Sequence, residues 1–158
     1  MRHANAYLLL HLAEQHYALP VASVERVVRA VAVTPLPEAP DIVAGVITVA
    51  GRILPVIDLR KKLRLPDRPL SPDVRFVIVN TSQRLAVFAV DSVTEIIQIP
   101  DQELVAATSL LPSPGALRGL TVNNDEIILI EDPDLLLAAT DNLSLPTTVP
   151  DQQQGESP

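Results

Sequence analysis

The sequence predicts an all-β fold, and three observations point there. Hydrophobic residues make up 47% of the chain and aromatic residues only 3%, so the core must be built from Leu, Ile, Val and Ala. The β-branched residues fall in short alternating or continuous runs, the pattern of a pleated, half-buried surface. Fifteen prolines are spread over 158 residues; each lacks an amide and blocks a helix interior, which leaves few windows for a helix of ordinary length. A chain this long makes one domain and buries about 70% of the surface exposed when unfolded.

The elements follow in order. Tyr7 to Leu12 and Tyr17 to Val21 are apolar runs around Ala13 to His16, a hairpin. Val27 to Val33, Val46 to Val49 and Ile53 to Ile57 come next, the last two divided by a Gly51-Arg52 turn in which Gly51 accepts positive φ. Asp58 caps a short helix, Leu59 to Leu65, with Arg60, Lys61, Lys62 and Arg64 on a basic face. Val74 to Asn80 and Leu85 to Val90 form a second hairpin, followed by Glu95 to Ile99 and a long irregular stretch to Gly115. Leu117 to Val122 and Glu126 to Ile130 flank Asn123-Asn124-Asp125, residues that tolerate the left-handed conformation of a tight turn. Asp132 caps a last helical turn with Pro133 at its first position. Residues 144–158 carry Ser, Pro, Thr, Gln and Gly without apolar periodicity and are expected to be disordered.

An internal repeat organises these elements. ALPVASVERVV (18–28) overlays AVFAVDSVTEII (86–97) with Val21 on Val90, Ser23 on Ser92 and Val24 on Val93, an offset of 69 residues. GVITVAGRILPVID (45–58) matches GLTVNNDEIILIED (119–132) at an offset of 74, each a Gly-led strand, a turn, a second strand and an acidic helix cap. Two copies of about 70 residues are too long for a solenoid unit and read as duplication of one small β unit. One domain over 1–143 is expected, with halves over 13–80 and 81–137, the first strand at 6–12, and a groove between two small barrels or rolls.

Charge and chemistry narrow the function. At a formal charge of −7, the chain as a whole repels a phosphate backbone, so nucleic acid is not an expected partner. With no cysteine there is no disulfide, thiolate site or thiol nucleophile, which suits a reducing compartment. The run Tyr7 to Leu12 is shorter than a secretory core, and Ile42 to Gly51 falls well short of the ~20 residues of a membrane span; no membrane insertion is expected. His3, His11 and His16 all lie near the N-terminus, with His16 expected at a turn, and no nucleophile or zinc motif accompanies them. Asp91-Ser92-Val93 resembles the aspartic-protease triplet, but Val93 stands where Gly is needed. Glu131, Asp132 and Asp134 are better helix caps than cation ligands. A small hydrolase on a β scaffold is the weakest reading. Apolar surface is the more conspicuous feature, at Ile42 to Ala50 and Val93 to Ile97, either buried strands or a protein-binding groove.

The motifs ALPVASVERVV, PLPEAPDIVAGVITVAGRILPVIDLRKKL (35–63) and AVFAVDSVTEI (86–96) resemble CheW-like domains over about Tyr7 to Leu137. The most specific part is Pro40 to Ile47, then Gly51, then Leu54 to Leu59. The resemblance implies two intertwined five-stranded barrels and no enzymatic activity or cofactor. It implies a cytoplasmic adaptor that joins the tip of a chemoreceptor to the regulatory domain of a CheA-type histidine kinase, itself CheW-like, with other CheW-like domains as further partners. Carried over by position, the contact groove comprises Val24, Arg26, Val27, Gly45, Val46, Ala50, Gly51 and Arg52. Two of these depart from the family pattern: Arg26 replaces a usual acid and Ala50 a usual Arg. Glu25 and Arg52 stand beside those places and are expected on opposite faces of their strands. A diverged accessory protein that binds the kinase and not receptors is the alternative these departures suggest.

Overall fold

The computed structural model describes residues 4–67 and 71–138; the expected tail over 144–158 lies outside them. Among the described residues there are eleven strands: β1 (Ala4–Leu12), β2 (Gln15–Pro20), β3 (Val24–Arg29), β4 (Val43–Val49), β5 (Arg52–Asp58), β6 (Arg75–Asn80), β7 (Leu85–Val90), β8 (Ser92–Pro100), β9 (Val105–Ala106), β10 (Leu117–Asn123) and β11 (Glu126–Glu131). Two short helices, α1 (Leu59–Lys62) and α2 (Pro133–Ala138), follow β5 and β11. The strands form a six-stranded sheet, β8-β1-β2-β11-β10-β9, and a five-stranded sheet, β3-β6-β7-β5-β4. Neighbours are antiparallel except β2 with β11 and β5 with β7.

Strand alternation distributes apolar side chains among three cores. On β1, Leu8, Leu10 and Leu12 enter a central cluster shared by both sheets, while Tyr7 and Leu9 point into a second cluster with Ala18, Ile99, Ile128 and Ile130. That is the period-two signature of a strand with apolar neighbours on both faces. The central cluster draws Ile57, Val77, Val79 and Phe88 from the five-stranded sheet and Leu59, Leu136 and Leu137 from the helices. A third cluster, with Ile47, Leu54, Val56, Phe76, Ile78 and Val87, lies on the other face of the five-stranded sheet.

The repeat reappears in the hydrogen bonding. Ala18 pairs with Ile130 and Val56 with Val87, one contact seen from each repeat. The register slips at Ala44 between Val43 and Gly45, and again 74 residues on at Arg118 between Leu117 and Gly119. Glu25 on β3 and Thr94 on β8, 69 residues apart, are both bulged. The Asp58 amide donates to the Ile42 carbonyl at 2.8 Å, and the Asp132 amide to the Ala116 carbonyl at 2.8 Å. Sheet membership crosses the sequence boundary at 80/81: β1 and β2 join β8 to β11, while β7 joins β3 to β6. Each sheet therefore needs both repeats.

Several expectations are corrected. The sheets are not two closed five-stranded barrels: one has six strands, and in neither do the two end strands pair with each other among the described residues. The run expected as a strand to Val33 ends at Arg29, because the chain then peels away to cross β4 at a single bridge. There Thr34 and Val46 exchange amide-to-carbonyl bonds of 2.9 Å each. In the other sheet β9 makes this crossing, pairing Ala106 with Gly119 and Val105 with Leu120. Helix α1 stops at Lys62, and Arg64 turns left-handed at φ 61. The β4–β5 turn is Ala50-Gly51, with φ 52 and 79, rather than Gly51-Arg52. His16 lies on β2, paired with His11, rather than at a turn. The left-handed Asn124-Asp125 turn forms as expected, with φ 52 and 65.

Candidate protein-binding interface

All eight positions expected in the contact groove fall on the five-stranded sheet or its β4–β5 turn, but their side chains divide. Val24 and Val27 are partly buried and pack against the central core. Gly45 is buried at φ 146 because the Thr34 carbonyl crosses it; a Cβ built there would stand 2.1 Å from that oxygen. Val46 is half-buried beneath the same crossing. Arg26, Ala50 and Gly51 are exposed. Arg52 Nη2 donates to Glu25 Oε2 at 2.8 Å. Glu25 and Arg52, each expected to face away from the side presented by position 26 or 50, thus meet as an ion pair between the start of β3 and the start of β5. The bulge at Glu25 breaks the alternation on which that expectation rested.

A second surface lies on the six-stranded sheet. Val105, Leu110, Leu120, Val122 and Ile127, with Glu103 and Thr121, line an open apolar groove of about 570 Å³. Val122 and Ile127 are directly cross-strand and are 64% and 53% exposed, while their neighbours Thr121 and Ile128 point inward. Val122 and Ile127 thus place an apolar pair on the solvent side of the hairpin, continuous with the groove. The sequence held this signal, since Val122 and Ile127 occupy the outward alternate of their strands. The runs singled out instead are largely core: Val43 and Ile47 are buried and Val93 packs against the central cluster, leaving Ile96 exposed.

The titratable groups have structural work. Asp91, between β7 and β8, accepts the Ala13 amide at 2.8 Å and two bonds from Arg60, at 2.8 and 2.6 Å. The hydrogen bond to Asp91 holds the Arg60 guanidinium above its ordinary value. Asp132 caps α2 through the amides of Asp134 and Leu135, and Asp58 caps α1 through the Lys61 amide at 3.2 Å. The His11 and His16 rings lie with centroids 3.9 Å apart and tilted by 37°, and His16 Nδ1 lies 2.7 Å from Glu126 Oε1. Burial, then the neighbouring His16, lowers the His11 pKa. Among the described residues no group of three or more acidic or imidazole side chains is placed to hold a metal.

A CheW-like domain model matches residues 6–141. The chain belongs to the CheW-like domain family. CheW of Helicobacter pylori is 28% identical over 120 residues, 75% of this chain and 73% of its own. CheW of Bacillus subtilis is 28% identical over 142 residues, 87% and 88% of the two chains. The crystal structure of the scaffolding protein TtCheW from Thermoanaerobacter tengcongensis superposes with a TM-score of 0.78 at 30% identity, covering 85% of this chain and 92% of that one. This CheW-like chain therefore shares its fold with that scaffolding protein over most of both chains. Within each repeat a strand-like segment crosses a glycine, the Thr34 carbonyl over Gly45 and the Val105 carbonyl over Gly119.

Proposed function

We propose that the chain is a non-enzymatic adaptor that couples chemoreceptors to a CheA-type histidine kinase in bacterial chemotaxis or a related motility system, acting in the cytoplasm at receptor arrays. The observation that carries this reading is the pair of unlike surfaces on the two sheets. One is a polar edge on the five-stranded sheet, with Arg26, the Ala50-Gly51 turn and the Glu25–Arg52 ion pair. The other is the apolar groove around Val122 and Ile127. The polar edge, with Val24, Val27, Gly45 and Val46 behind it, suits a charged receptor tip. The apolar groove suits the regulatory domain of the kinase, because burying two large exposed side chains supplies hot-spot affinity. Among the described residues no helix is long and apolar enough to cross a membrane.

The test is binding of the cognate kinase regulatory domain and receptor tip, measured side by side. Val122→Asp should weaken kinase binding at least about thirty-fold, the effect of losing a ~2 kcal/mol hot spot, and leave receptor binding intact. Arg26→Glu should alter receptor binding alone. Unchanged affinities in both variants would sink the assignment of surfaces. Arg26, an exposed cation where the family pattern has an acid, favours a second reading: an accessory protein that binds the kinase and not receptors. Kinase binding without any receptor binding would select it.

A further inference from the structure

We propose that Asp91 is a positioning residue that transmits coupling between the two sheets, and so between partners seated on them; this rests on the adaptor reading above. Asp91 is the single residue between β7 of the five-stranded sheet and β8 of the six-stranded sheet. Its amide donates to the His11 carbonyl at 3.1 Å, which fastens it to the end of β1. Its Oδ2 accepts the amide of Ala13, in the β1–β2 turn of the six-stranded sheet. The same carboxylate is gripped by both Nε and Nη2 of Arg60, in the helix that follows β5 of the five-stranded sheet. A two-pronged guanidinium–carboxylate contact fixes angle as well as distance, and both side chains are only 13% exposed, so solvent screens it little. Asp91 thus clamps the turn of one sheet to the helix of the other.

The other repeat makes the equivalent connection with different chemistry. Ser82 lies 69 residues after Ala13, and Asp134 lies 74 after Arg60, the offsets of the repeat. The Ser82 amide, in the β6–β7 turn of the five-stranded sheet, donates to Asp134 Oδ1 at 2.9 Å. Asp134 belongs to α2, which follows β11 of the six-stranded sheet. Helix position and turn position are thus tied across the sheets twice, directly in one repeat and through Asp91 in the other, where the place related to Asp91 is Ala22. A connection retained at the same two positions while its residues changed points to a requirement on the relation between sheets. The eight candidate contact positions lie on one sheet and the apolar groove on the other, so a partner on either surface alters the other through these ties.

The experiment uses the full chain, the isolated kinase regulatory domain and the receptor tip. Each partner's affinity is measured alone and with the other saturating. In the unsubstituted chain one partner should change the affinity for the other by roughly five-fold or more. Asp91→Asn, which keeps the shape and removes the charge, should leave each separate affinity within two-fold and bring the coupling below two-fold. Amide exchange at Ala13 should quicken. If Asp91→Asn does not fold, Arg60→Gln and Arg60→Lys decide: the glutamine should abolish coupling and the lysine, which keeps the charge, should retain part of it. Coupling undiminished in Asp91→Asn, or equal in the glutamine and lysine variants, would overturn the proposal. So would two binary complexes with no coupling in the unsubstituted chain. Failure of either binary complex sinks the adaptor reading itself.

Discussion

Glu131 shows how a single residue can set the pH dependence of the fold. It is 6% exposed at the end of β11 and occupies the place that Ile57 takes in the other repeat, where the side chain is fully buried. Burial pushes its carboxyl from 4.5 up to about 7, with Lys62 pulling the other way. Its charge in turn adds to burial in raising the Tyr17 pKa. Between those two pH values the folded chain holds the proton and the unfolded chain has released it, so stability falls as pH rises from about 4.5 through 7. The loss approaches ~3 kcal/mol by pH 8. Glu131→Gln should remove that slope and be the more stable protein at pH 8; urea unfolding at pH 5 and pH 8 checks it, and an unchanged slope would place the dependence elsewhere. Gly45 makes a different demand. Gly45→Ala forces a Cβ onto the Thr34 carbonyl at a φ that side chains rarely adopt, and should cost several kcal/mol, read as a lowered thermal midpoint.

At the scale of elements, how much the sequence disclosed depends on whether a local pattern or a distant partner made the structure. The strands around the Asn124-Asp125 turn were legible, because alternation and turn chemistry are both local. The segment from Ala30 to Thr34 was not: it is apolar enough for a strand, but its path is decided by a bridge to Val46 twelve residues past Thr34. Strand β9 was missed for the same reason, since two residues against β10 carry no periodicity. The Glu25–Arg52 pair needed a bulge that no pattern announces. The family was legible through the Pro40 to Leu59 block, whereas the apolar groove was overlooked because Val122 and Ile127 looked like ordinary strand residues. One consequence belongs to the β4–β5 hairpin. Its turn puts Ala50 at φ 52, where a Cβ is strained and glycine is not. Ala50→Gly should stabilise the chain by about 0.5–1 kcal/mol after its larger unfolded-state entropy is counted. A drop in stability would mean that the Ala50 methyl makes a contact worth more than the strain.

For the molecule as a whole, the exchange of strands between repeats determines which pieces can stand alone. A fragment ending at residue 67 carries β1 to β5 and α1, and one beginning at 71 carries β6 to β11 and α2. In the first, β2 lacks its parallel partner β11, β5 lacks β7, and β3 lacks β6. Each missing ladder leaves a row of amides and carbonyls without partners. The central core is also divided, with Leu8, Leu10, Leu12 and Tyr17 on one fragment and Val77, Val79, Phe88, Leu136 and Leu137 on the other. Neither piece retains enough apolar burial to offset the entropy of ordering its backbone. The two fragments should therefore be unfolded separately and should regain the β-sheet circular dichroism of the intact chain when mixed at equal concentration, at a rate that depends on concentration. Repeat equivalence offers one competing outcome, a swapped homodimer in which β5 of one copy takes β2 of another. Sedimentation of each fragment alone would expose it. A first fragment that folds as a monomer, with dispersed amide resonances and a cooperative unfolding transition, would show that the sheets do not depend on each other as their strand order requires.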